Sequence, residues 1–287
     1  MDTVQVIISG LLLGGVYALF ASGLNMIFGV MRVINLAQGE LMMLGAYITF
    51  FLFDRAGLNP LLSIPLSAVA LLVLGVALQF TLVERVVNQP LLSSLLLTFG
   101  LSTLMMGIAL NLWTSNFRSV AWEPLTGSWD IGGLAISKSR FVAFLIALLV
   151  TGAMFLFLRR SRFGKAIRAT SQHAEVAQIC GVDVRQVRLV TFGLGSAMAG
   201  IAGTLIAMIF TINPEMGRMF IGKAFAIIVL GGLGSFTGAF IGALFLGVSE
   251  TLAAYWTDTQ LAEAVAYAVL LLVLLIRPSG LFGQAEG

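Results

Sequence analysis

Long apolar runs separated by short polar joints set the pattern of this chain. About 20 predominantly apolar residues are enough for a helix to cross a bilayer. The pattern marks candidate crossings at 4–28, 41–53, 61–83, 92–113, 140–158, 189–212, 220–234, 236–256 and 262–276. Runs such as FVAFLIALLVTGAMFLFL do not alternate apolar with polar positions, as the strands of a spanning β-barrel would. A helix satisfies its own backbone hydrogen bonds in lipid, so helices are the expected spanning element. The expected fold class is therefore an all-α polytopic membrane protein forming one transmembrane domain over 1–287, with eight to nine segments. The runs 41–53 and 220–234 are short for a crossing, so each is either a full span or a broken, re-entrant piece. The first run, Val4 to Phe28, has no Lys or Arg ahead of it and no Ala-x-Ala pattern, and is expected to be a retained span rather than a signal peptide.

Composition agrees with this pattern. Of the 287 residues 59% are hydrophobic and only 10% charged, against about 25% charged in an average soluble domain. The formal net charge of +3 is too small to imply nucleic-acid binding, and a single Cys cannot form an internal disulfide. Charge placement says more. The stretch RRSRFGKAIRATSQHAEVAQICGVDVRQVR, Arg159 to Arg188, holds seven of the sixteen basic residues, the only His and the only Cys. By the positive-inside rule this island faces the cytoplasm. Alternating outward from it places 114–139 outside, 84–91 inside, 54–60 outside and 29–40 inside, with the N-terminus outside and the C-terminal tail inside.

Motifs that would carry chemistry are sparse. GRMFIGKA, 217–224, matches a phosphate loop up to Lys223, but Ala224 stands where magnesium needs Ser or Thr and no strand precedes it. Lys223 is instead expected to snorkel to the membrane interface. No paired carboxylates, metal cluster or nucleophile elbow occur, so the expectation is no catalytic residue, no metal and no cofactor held by this chain. Polar residues within spans are costly and often functional, which singles out Asn25, Asn111, Glu250 and Glu263. Glu250 either faces a water-filled route or pairs with a donor on another helix. Asn35, Gln38, Gly39 and Glu40 form a polar knot ahead of Gly45 and Tyr47. This knot is either a capped helix start, with Asn35 on the turn and Glu40 at the helix dipole, or a half-helix lining a pathway. Gly231, Gly232 and Gly234 break the other short run. Two short, glycine-interrupted runs in opposite halves of a chain suggest a transport fold with discontinuous helices. Gly234, Gly238 and Gly242, and GLGSAMAGIAG at 193–203, read as close helix packing, internal or between subunits.

The island divides in two. Arg159, Arg160, Arg162 and Lys165 suit anionic headgroups. Residues 169–182 are nearly neutral and mix small apolar with polar side chains, a composition fitted to a protein partner. One or two short helices are expected over Gly164 to Cys180, ended by Gly181.

EVAQICG, Glu175 to Gly181, is similar to the E-A-A-x-x-x-G loop by which ABC importer permeases engage their ATPase subunits. Val176 replaces the second Ala, and Thr191 falls where the usual downstream I-x-L-P would begin. GLNMIFGVMRVINLAQGELMMLGAY (23–47), RFGKAIRATSQHAEVAQICGVDV (162–184) and AFAIIVLGGLGSFTGAFIGALFLG (224–247) resemble the branched-chain amino acid ABC permease family, in that order. The resemblance covers nearly the whole chain and implies an ABC importer permease fold and the shorter of two permease subunits in a heterodimer. It further implies two cytosolic ATPases that carry ATP and Mg, an extracytoplasmic substrate-binding protein and a bacterial inner-membrane location. By position, Phe163, Gly164, Arg168, Ala174, Glu175, Ala177, Gly181 and Val182 would belong to the coupling loop. Asn35, Gln38, Gly39, Glu40, Gly45, Gly231, Gly232, Gly234 and Glu250 would lie near the translocation path. The transported solute would be a branched-chain or related small amino acid. The alternatives are a self-contained carrier or channel coupled through Glu250 and Glu263, or an ABC permease for urea, amides or sugars.

Overall fold

The computed structural model describes residues 2–257 together with 264, 267, 268, 270–273 and 275. Ten helices carry residues 2–257: α1 (Asp2–Met31), α2 (Gln38–Ala56), α3 (Pro60–Thr81), α4 (Leu91–Trp113), α5 (Lys138–Arg160), α6 (Arg162–Gln172), α7 (Ala174–Ile179), α8 (Val184–Ala207), α9 (Met216–Gly231) and α10 (Phe236–Trp256). The chain is an all-α polytopic membrane protein. Among the described residues, six helices are long and apolar enough to cross a membrane: α1, α3, α4, α5, α8 and α10. The expected ninth crossing, 262–276, and the tail after it fall mostly outside the described residues. So does Glu263, one of the singled-out carboxylates.

α8 is the central post. In its most apolar window 78% of residues are buried inside the protein, against 11% for α4. The reason lies in its small residues. Packing between helices in lipid relies on dispersion, which small side chains increase by letting backbones approach. Gly193 and Gly200 admit α3, Gly195 admits α1 and Gly203 admits α2. A Cβ at Gly203 would fall on the Met42 carbonyl oxygen of α2. The 193–203 glycines thus serve internal packing. A polar seam threads the same contact. Thr49 Oγ1 donates to Thr204 Oγ1 at 2.8 Å, Ser63 Oγ lies 3.1 Å from Thr49 Oγ1, and Ser67 Oγ donates to the Gly200 carbonyl at 3.0 Å.

The two short runs become α2 and α9, extending further toward the N-terminus than the hydropathy pattern indicates. α2 holds 19 residues and starts at buried Gln38; α9 holds 16. Three charged residues, Glu40, Asp54 and Arg55, make α2 less apolar along its sequence, although most of its first half is buried. α2 ends where Gly57 takes a left-handed φ of 62°, and the Leu58 N–H returns to the Leu52 carbonyl. Asn59 then caps α3 by accepting from the Leu61 N–H at 2.8 Å, with Pro60 opening the helix. The 114–139 joint holds an unforeseen β-hairpin, β1 (Ser128–Ile131) paired antiparallel with β2 (Leu134–Ser137), turning through Gly132 and Gly133 at positive φ.

The α9–α10 joint is a tight glycine turn. Gly231 and Gly238 pack backbone to backbone, and Gly242 seats against α9, so this small-residue ladder is internal as well. Asn25 of α1 holds the turn from outside. Its Nδ2 donates to the Ser235 carbonyl, and its Oδ1 accepts from the Gly234 N–H, both at 2.8 Å.

Candidate functional site

The polar knot sits where a helix is interrupted. α1 ends at Met31, and Arg32 takes a left-handed φ of 52°. Residues 32–37 are not helical, yet Val33, Asn35 and Ala37 are buried. Buried irregular backbone needs partners, and the surroundings supply them. Thr98 Oγ1 of α4 donates to the Ile34 carbonyl at 2.7 Å. The N-cap is Ala37, so Asn35 does not cap the backbone as expected. Its amide instead donates to Gln38 Oε1 at 3.0 Å, and Gln38 Nε2 donates to the Gly195 carbonyl of α8 at 2.9 Å. Gln38 is therefore held against the middle of α8, and α2 starts deep inside the protein.

The start of α9 meets the start of α2 at this point. Gly39 lies on the Gly217 carbonyl, and the Glu40 carboxylate lies directly against Gly217, where any Cβ would overlap it. Glu40 occupies the first turn of α2 as expected and is 1% exposed. Ser102 Oγ of α4 donates to Glu40 Oε1 at 3.2 Å. Gly45, further along α2, packs on Gly200. Ser102 and Gly217 complete this constellation. Neither is singled out as a site residue by the sequence: Ser102 is one small residue in an apolar run, and Gly217 opens GRMFIGKA just ahead of another.

Gly231, Gly232 and Gly234 lie elsewhere. They are at the far end of α9 from Gly217, about 20 Å away by the 1.5 Å helical rise, beside Asn25 and Gly29 of α1. Glu250 is remote from the knot in another way. Its Oε1 accepts from Lys223 Nζ at 2.6 Å, in a pair whose side chains are 14% and 7% exposed. Of the two readings of Glu250, the structure realises pairing with another helix. The expectation for Lys223 is corrected: it does not snorkel outward but is buried between the Tyr17 and Phe220 rings, its Nζ 5.4 and 5.6 Å from their centroids. With an anion to neutralise it, the ammonium need not reach water. GRMFIGKA is part of one continuous helix and forms no loop.

An aromatic cluster closes the end of α2. Tyr47 stacks on Trp113 with centroids 4.2 Å apart, and the Arg118 guanidinium lies 5.1 Å from the Phe50 centroid and 5.5 Å from that of Phe51. Arg118 also exchanges two backbone hydrogen bonds with Ile212, tying the α4–β1 joint to the α8–α9 joint.

The island forms the helix pair α6 and α7. Ser161 caps α6 through the Gly164 N–H at 2.8 Å, and Gly164 presses on the Phe157 and Leu158 backbone. Ile167, Thr170 and Ala177 face inward, Phe163 and Val182 pack on the core, and the Arg168 guanidinium donates to the Arg159 carbonyl at 3.3 Å. Gly181 ends α7 at φ 86°, and the Val182 N–H returns to the Ala177 carbonyl. Ala174 is half-buried, Glu175 is exposed, and Val176 and Ile179 stand 56% and 85% exposed. Arg159, Arg160, Arg162 and Lys165 are all exposed. Behind α7, a cleft of about 320 Å³ opens toward Arg32, Asn88, His173 and Arg188.

An interrupted-helix core beneath a solvent-facing helix pair defines a polytopic transport subunit. Residues 6–274 match the family model described as branched-chain amino acid transport system / permease component. The chain is 34% identical to the high-affinity branched-chain amino acid transport system permease protein LivH of Salmonella typhimurium, over 98% of this chain and 96% of that protein. It is 33% identical to BraD, the permease protein of the same description from Pseudomonas aeruginosa, with the same coverage. Similarity to the autoinducer 2 import system permease protein LsrC of Escherichia coli is 31% over 60% of this chain and 53% of that protein. The chain belongs to the branched-chain amino acid transport system permease family.

Proposed function

We propose that this chain is one permease subunit of an ATP-driven importer for branched-chain or related small amino acids. The solute crosses by alternating access along a route past 35–47, and α6–α7 receive the motion of a cytosolic ATPase. One observation carries the reading: Val176 and Ile179 project into solvent from a short helix pair that is itself rooted in the core by Ile167, Thr170 and Ala177. Two exposed apolar side chains on a rigid base suit a partner groove. A second permease, two ATPases holding ATP and Mg, and an extracytoplasmic binding protein complete the machine. In this reading the basic residues of α5 and α6 rest at the inner headgroups, with α6–α7 in the cytoplasm and, counting α2 as a crossing, the N-terminus outside an inner membrane. A self-contained carrier is less well supported, because the charge of Glu250 is already offset by Lys223 at Oε1, although its Oε2 has no hydrogen-bond partner among the described residues.

Replacing Glu175 or Gly181 by Arg is expected to abolish transport-coupled ATP hydrolysis while the subunit still inserts. Unchanged coupled hydrolysis in both variants overturns the docking role.

A further inference from the structure

We propose that Glu40 is the seat of the substrate's ammonium group, at the point where α2 and α9 begin. The inference rests on the route past 35–47 proposed above, and names the chemistry that the route selects.

Hydrogen-bond accounting leads to it. An ionised carboxylate offers about four acceptor sites, and Glu40 is almost wholly enclosed. Oε1 has one donor, the Ser102 hydroxyl. Oε2 is buried with no hydrogen-bond partner among the described residues, and so is Asn35 Oδ1 in the same helix break. The neighbouring donors are committed elsewhere. The Asn35 amide serves Gln38, the Gln38 amide serves Gly195, and the Lys223 ammonium serves Glu250. Among the described residues Arg218, next to Gly217, is exposed; its charge acts on Glu40 from a distance, without an ion pair or hydrogen bond to Oε2. A buried acceptor left without a donor is costly, and a buried carboxylate more so.

Acceptors in want of donors specify the ligand. A primary ammonium brings three N–H donors and the charge that offsets Glu40. In the first turns of α2 and α9 the N–H groups of Gln38, Leu41, Met216 and Arg218 already have carbonyl partners, so those of Gly39, Glu40 and Gly217, with the positive ends of two helix dipoles, are what suit a carboxylate. A zwitterion with both groups on one carbon matches the pair. A neutral sugar brings no charge for Glu40, and an acid lacking the amine meets it with like charge. At this contact Gly39 meets the Gly217 backbone and the Ile221 Cβ, and Gly217 meets the Glu40 carboxylate, so seating a ligand requires the starts of α2 and α9 to part there.

The test uses the complete importer in lipid nanodiscs, with Cys180→Ser to silence this chain's native thiol and Leu36→Cys as a reporter in the helix break ahead of Glu40. A small water-soluble thiol reagent labels position 36. Leucine, and 3-methylbutylamine which lacks the carboxylate, are expected to slow labelling. The deaminated 4-methylpentanoate is expected not to. With Glu40→Gln added, protection by leucine weakens by roughly 10- to 100-fold, as loss of one charge-assisted contact predicts. Equal protection by leucine with and without the Glu40→Gln substitution, or equal protection by 4-methylpentanoate and the amine, overturns the proposal. A reporter that no reagent reaches in any state overturns the route itself, a distinct result. Should Glu40→Gln not assemble, the contrast between amine and deaminated acid in the protein that retains Glu40 decides alone.

Discussion

Lys223 and Glu250 face each other across the α9–α10 contact, with Nζ 2.6 Å from Oε1. Both are largely enclosed, so the pair is a buried ion pair inside an apolar bundle. Removing one partner leaves an uncompensated charge, which costs roughly 3–5 kcal/mol, whereas replacing both with apolar side chains of similar volume is often neutral or stabilising. Lys223→Met is therefore expected to unfold at a clearly lower temperature in detergent, and Lys223→Met with Glu250→Leu to recover most of the loss. A double variant as unstable as the single one would show that the charges do more than neutralise each other.

Packing along α8 predicts a contrast between two glycines. Gly203→Ala drives a methyl group into the Met42 carbonyl oxygen, while a Cβ at Gly152 of α5 meets no heavy atom within 4 Å. Overpacking of this kind costs about 1–3 kcal/mol. Ala at 152 is expected to be neutral or slightly favourable, since Gly in a helix interior is less stable than Ala by up to ~1 kcal/mol. Thermal unfolding of the two purified variants, side by side, decides it.

Asn25 predicts a local defect. Asn25→Ala strips the Ser235 carbonyl and the Gly234 N–H of their partners; Gly234 is exposed and Ser235 half-buried, so water can replace part of the loss and each bond is worth about 0.5–1.5 kcal/mol. Hydrogen exchange at 232–238 is expected to accelerate first, ahead of global unfolding. Exchange that rises evenly over the chain would contradict a role confined to the turn.

Arg118 predicts a difference between two cations. Its guanidinium lies over the Phe50 and Phe51 rings and donates to the Trp113 carbonyl at 3.0 Å. Lys keeps the charge but not the planar fork. Arg118→Lys is expected to lose about 1 kcal/mol of stability and Arg118→Ala about 2, in keeping with partly desolvated cation–π contacts. Chemical denaturation read through tryptophan fluorescence would register both, because Trp113 belongs to the cluster.

The candidate site was legible in pieces. Glu40 at a helix start and Gly181 at a helix end follow from local rules, and the structure bears out both. Gly164 to Cys180 read as one or two short helices, and the structure forms two, α6 and α7. Lys223 was misplaced because hydropathy weighs a lysine by its own run and cannot see Glu250 on the next helix. Ser102 and Gly217 are not singled out as site residues by the sequence, since what matters is the carboxylate they meet.

By itself, then, the sequence determined a chain of apolar helices, the interruption before α2, the basic island and its short helical stretch ended by Gly181, for these depend on the residues within one segment and the solvent around it. The tertiary structure alone decided that α2 and α9 begin against each other, that Glu40 lies on Gly217 with one oxygen unpartnered among the described residues, and that Lys223 neutralises Glu250. In lipid, every spanning helix is apolar on most faces. The choice of neighbour therefore rests on small residues and a few polar contacts between distant segments, which only the folded chain brings together.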